Sequence, residues 1–125
     1  MNPGGLVEWA RAVIDHPELG LDGAWPRAAA LLARQGLEAA LDDYWDRFFP
    51  PMRDASRRTQ LFCLGEYVGT PELARSVRSA WMALTRACHH HPYELAPVAD
   101  ELRSWFEQVD QLVRHLESQA SVPET

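Results

Sequence analysis

Apolar residues recur every three to four positions in nearly every segment of the chain, and alternating runs bounded by turn residues are absent, so the pattern predicts an all-α fold. About five helices are expected in a single-domain bundle spanning 1–117, followed by a polar tail at 118–125. A first helix over 5–15 turns Leu6, Ala10, Val13 and Ile14 inward and stops at His16-Pro17, and a turn-rich connector leads to Gly23. A long second helix over 25–48 opens with Pro26, where a missing N–H costs nothing, and ends before Pro50-Pro51. A third over 54–68 takes Asp54 as its N-cap, buries Leu61, Leu64 and Val68, and closes on Gly69. The fourth has Thr70 as N-cap and Pro71 as first residue, carries Leu73, Val77, Ala80, Trp81, Leu84 and Cys88 along one side, and is punctuated by Pro92. The fifth, over 97–117, has the cleanest stripe: Val98, Leu102, Trp105, Phe106, Val109, Leu112, Val113 and Leu116. Five tryptophans are expected to help fill the core.

Composition sharpens this picture. At 125 residues and 46% hydrophobic, the chain fits one domain with an ordinary core that needs no disulfide or metal. Cys63 and Cys88 show no framework spacing and fall in apolar helical patterns, which implies free thiols and a cytoplasmic location. No leader or membrane span is visible. The net charge of −6 sets 18 acidic residues against 12 basic ones, all arginine; it opposes broad electrostatic binding of nucleic acid and confines any RNA contact to a local patch.

One such patch lies on the fourth helix. At about 100° per residue, Arg78, Ser79, Met82, Arg86, His89 and His90 lie within roughly 60° of Arg75, opposite the apolar stripe. The face ends in Arg86-Ala87-Cys88-His89-His90-His91-Pro92-Tyr93. On a regular helix His90 shares the face of Arg86, whereas His91 points about 140° away. Pro92 disfavours helical geometry at His91 and redirects it, so either ring can meet the guanidinium. Histidine titrates near neutrality and can serve as general base or acid, while arginine holds a phosphate in a fixed fork. A zinc site built from Cys88 and His89 to His91 is disfavoured, because adjacent helical ligands cannot converge on one ion; no cofactor is expected. On the second helix, Arg34 and Glu38 sit one turn apart and point with the apolar side, which reads as an ion pair or as a support for the histidine turn. Asp42, Asp43 and Asp46 read as a solvated face. Arg53, Arg57 and Arg58 read as a basic patch at the surface, with Arg57 and Arg58 as candidate phosphate contacts beside Arg75 and Arg78.

Arginine, four residues, histidine, one residue, tyrosine, here Arg86, His91 and Tyr93, resembles the signature of HEPN domains (higher eukaryotes and prokaryotes nucleotide-binding), most closely those of toxins paired with minimal nucleotidyltransferases. The stretch from Leu31 to Leu41, containing Arg34 and Glu38, resembles a long early helix of the same family. The resemblance implies a small helical bundle, a homodimer, and a metal-independent endoribonuclease. In it, His91 or its neighbour His90 helps a ribose 2′-hydroxyl attack the adjacent phosphate and Arg86 stabilises the developing charge, with His89 as a neighbouring support. It also implies a cognate antitoxin protein that modifies Tyr93. The competing expectation is a non-catalytic helical module whose Arg/His face and Met82 bind a protein partner.

Overall fold

Helix boundaries follow the prolines and glycines of the sequence closely in the computed structural model, which describes residues 3–15, 25–88 and 99–120. The elements are α1 (Pro3–Asp15), α2 (Trp25–Phe48), a 3-10 turn (Pro50–Asp54), α3 (Arg57–Val68), α4 (Pro71–Cys88) and α5 (Ala99–Ala120). Among the described residues there is no strand, and no helix is long and apolar enough to cross a membrane.

The helices sit where periodicity places them, but two junctions differ in detail. Asp54 does not cap α3: Pro50-Pro51 sets up a separate 3-10 turn ending at Asp54, and Ser56 becomes the N-cap, accepting from the Thr59 amide at 3.1 Å. Thr70 stands at the start of α4, where its carbonyl takes the Ala74 amide, yet its hydroxyl turns back to donate to the Val68 carbonyl. Gly69 closes α3 in the left-handed conformation (φ 69°), a backbone state that a side chain disfavours. At the other end of the chain, α5 continues to Ala120, past the expected stop at 117.

The bundle is organised around α2, which packs against α1, α4 and α5, while α3 rests chiefly on α4. Trp45, Phe106, Leu37, Leu41, Leu84, Leu102 and Leu112 are fully buried, each contributing about 1.5–3 kcal/mol of transfer free energy before entropy is counted. Two expectations about the core are corrected. On α1 Ala10, Val13 and Ile14 are buried as expected, but Leu6 is only half-buried while its neighbour Val7 is fully buried. Nor do all the described tryptophans fill the core: Trp45 is enclosed and Trp81 and Trp105 are half-buried against the core, but Trp9 is 53% exposed. An aromatic cluster then ties the end of α2 to the end of α3, with Tyr67 edge-on to Trp45 at 5.0 Å and stacked near Phe49.

Candidate functional site

The arginines of this chain sort into two groups, and the sorting defines the site. Arg11, Arg34, Arg53, Arg57, Arg103 and Arg114 are ion-paired, and Arg27 donates to the Cys88 carbonyl at 2.8 Å. Arg47, Arg58, Arg75, Arg78 and Arg86 have no carboxylate partner among the described residues. All of these but Arg47 lie on α3 and α4.

The paired group forms a ladder across α2, the 3-10 turn and the start of α3. Arg34 Nε meets Glu38 Oε1 at 3.0 Å, Glu38 Oε2 meets Arg57 Nε at 3.0 Å, and Arg57 holds Asp42 through both terminal nitrogens at 2.6 and 3.2 Å. Arg53 then bridges Asp42 and Asp46. Asp42 and Asp46, expected as a solvated face, are thus met by Arg53 and Arg57, and of the candidate phosphate contacts Arg57 is committed to carboxylates instead. Its guanidinium also donates to Gln60 Oε1, and buried Gln60 in turn donates to the carbonyls of Met52 and Ala55, locking the 3-10 turn onto α3. The hydrogen bonds from Arg57 hold the Asp42 carboxyl below its ordinary value, and the same bonds raise Arg57.

Three of the unpaired group, Arg58, Arg75 and Arg78, line a cleft between α3 and α4. Its floor is Leu61 and Gly65, and α3 and α4 run close there, with a Cβ built on Gly65 coming into van der Waals contact with that of Ala74 at 3.4 Å. Phe62, Glu66, Arg75 and Arg78 form the rim of a space of about 470 Å³. Beyond Arg78 it continues into a smaller space of about 230 Å³ walled by Arg58, Trp81 and Met82. The Arg78 guanidinium lies 4.4 Å from the centre of the Phe62 ring, which is nevertheless 62% exposed. Such a surface offers fixed positive charge beside an open aromatic face.

Arg86 is exposed in the last turn of α4, on the same helical face as Arg75, Ser79 and Met82. His89, His90, His91 and Tyr93 lie outside the described residues. What the structure does bring to the end of α4 is the Arg34–Glu38 pair: Arg34 lies beside the Cys88 thiol and 6.0 Å from the centre of the Trp81 ring. Burial pushes the Cys88 thiol up, with Arg34 and Arg27 opposing that push. Arg34 and Glu38 therefore stand near Cys88, the last described residue before the histidine run. No described contact joins them to Arg86.

Sequence reasoning missed Phe62 and Gly65. Both sit on a helix whose apolar positions are spread around its circumference, so periodicity assigns neither to a face. Among the described residues no cluster of histidine, cysteine and carboxylates is arranged to hold a metal. Comparisons with family models, characterised proteins and solved structures return no significant match to this chain.

Proposed function

We propose that the chain is a HEPN-like, metal-independent endoribonuclease of a toxin or defence system, acting in the cytoplasm as a homodimer. The observation that carries this reading is Arg86, exposed in the last turn of α4 with no carboxylate partner among the described residues, three positions before a run of three histidines in the sequence. In the reaction, His91 or His90 takes the proton of a ribose 2′-hydroxyl. The freed oxygen forms a bond to phosphorus, and the bond from phosphorus to the 5′-oxygen breaks. That oxygen takes up a proton, leaving a cyclic phosphate and a 5′-hydroxyl. Arg86 stabilises the charge that builds on the phosphoryl oxygens. Arg34 and Glu38 act as positioning residues behind the turn, and Tyr93 is the residue a cognate antitoxin modifies.

Single-stranded RNA incubated with the purified chain and a chelator tests this. Cleavage is expected, with Arg86→Ala removing it while the helical circular dichroism is kept. Intact RNA at large protein excess overturns the nuclease reading.

A second reading, a non-catalytic interaction module, draws on the exposure of Phe62 and Met82 (45%) beside the same arginines. It gains ground if Arg86→Ala and His91→Ala leave RNA handling unchanged while a protein partner is lost on Met82→Asp.

A further inference from the structure

We propose that the α3–α4 cleft is a binding groove for single-stranded RNA, with Phe62 as the platform on which a base stacks and Arg58, Arg75 and Arg78 as the phosphate contacts. The inference rests on the reading of this chain as acting on RNA and says where the strand runs. Phe62 is exposed to 62%, an unusual state for a phenylalanine on a bundle helix, and one side of its ring is already held by Arg78 at 4.4 Å. A ring fixed in this way, with area still open, loses little freedom when a base stacks on it, and stacking tolerates any base because every base has a π-face. Around it stand guanidiniums that no described carboxylate neutralises, whereas arginines a few residues away are consumed by the Glu38–Asp42–Asp46 ladder. From Arg75 to Arg86 the helix rises about 16 Å at 1.5 Å per residue, so a strand seated in the cleft and following α4 reaches the proposed point of cleavage.

Charge also orients the strand in the cleft. Glu66 is the one carboxylate among the residues lining the cleft, at the end nearest Pro71. It repels phosphate there and directs the backbone toward Arg78 and Arg58. A duplex, whose bases are stacked on one another, offers nothing to Phe62 and is expected to bind more weakly than a single strand.

The test separates binding from cleavage by using a fluorescent single-stranded 2′-O-methyl oligoribonucleotide, which has no free 2′-hydroxyl and cannot be cut by the proposed chemistry. Anisotropy titrations at several salt concentrations should show Phe62→Ala weakening binding about tenfold and Phe62→Trp retaining it. The double variant Arg75→Ala/Arg78→Ala should lower the slope of log affinity against log salt by about 1.4, from about 0.7 per lost contact to a single strand. Glu66→Gln should tighten binding, and Arg47→Ala, which removes an arginine that lies outside the cleft, should change nothing. Phe62 and Arg75 are exposed, so these variants keep the fold, with circular dichroism as the check. If the cleft variants bind like the wild type, the groove is overturned while the nuclease reading stands. If they weaken binding but Arg86→Ala leaves cleavage of unmodified RNA unchanged, the groove stands and the assigned catalytic role falls. A wild type that ignores the oligonucleotide but binds a polyglutamate peptide through Arg75 and Arg78 overturns the groove in favour of an acidic protein partner.

Discussion

Arg57 and Arg58 are neighbours in sequence and opposites in the fold. Arg57 points toward α2 and is held by Glu38, Asp42 and Gln60; Arg58 walls the α3–α4 cleft and meets no carboxylate among the described residues. Adjacent positions on a helix diverge by about 100°, so one basic dipeptide supplies both a structural clamp and a binding surface. The comparison extends to whole regions. Across the α2–α3 seam the guanidiniums are neutralised and directional; across the α3–α4 cleft they are left available. A net negative chain can thus keep a local positive strip by spending its acids elsewhere.

The sharpest way to break the comparison is to remove the clamp. Arg57→Ala leaves Glu38, Asp42 and Gln60 without their shared donor and should cost about 2 kcal/mol in urea unfolding, discounted for partial exposure, whereas Arg58→Ala should stay within about 0.5 kcal/mol. Equal losses at the two positions would refute the division. Glu38→Gln keeps the shape but leaves Arg34 and Arg57 facing each other, and should cost about 1 kcal/mol.

A smaller effect is expected from acid. Folding lowers the Asp42 carboxyl from its ordinary 3.8, first through the Arg57 hydrogen bonds, with burial opposing. The folded state therefore favours the ionised form, and that stabilisation is complete above the unfolded value and lost as pH falls through the lowered folded one. Asp42→Asn should flatten stability against pH below about 4 and leave Arg75→Ala as a control with the wild-type profile. The smallest signal concerns Cys88. In a Cys63→Ala background its buried thiol should react with an aromatic disulfide reagent only as fast as the bundle opens.

The helices were legible because their stripes are long and their ends carry proline or glycine: α4 and α5 turn inward nearly the residues their periodicity selects. Leu6 and Val7 show the limit, since two adjacent apolar residues at the start of a short helix compete for the inward position and periodicity alone does not choose between them. The candidate site was legible only in part. Arg34 and Glu38 declared themselves by an i,i+4 spacing, and so did the open face of α4, because both are local patterns. The commitment of Arg57 was invisible because its carboxylates lie 15 and 19 positions earlier, on another helix. Phe62 was invisible for a related reason, as an aromatic in a helix with a weak stripe reads equally as core or as surface.

The bond from Arg27 to the Cys88 carbonyl joins positions 61 apart, and it makes the last turn of α4 something other than a free end. Helix termini ordinarily fray on their own, but this one cannot loosen without releasing a charged tether rooted in the first turn of α2. The amides of Leu84 to Cys88 should therefore exchange with deuterium together with the start of α2, and Arg27→Ala should uncouple them. The turn from which any chemistry by Arg86 must be delivered is in this sense governed from the first turn of the bundle's central helix.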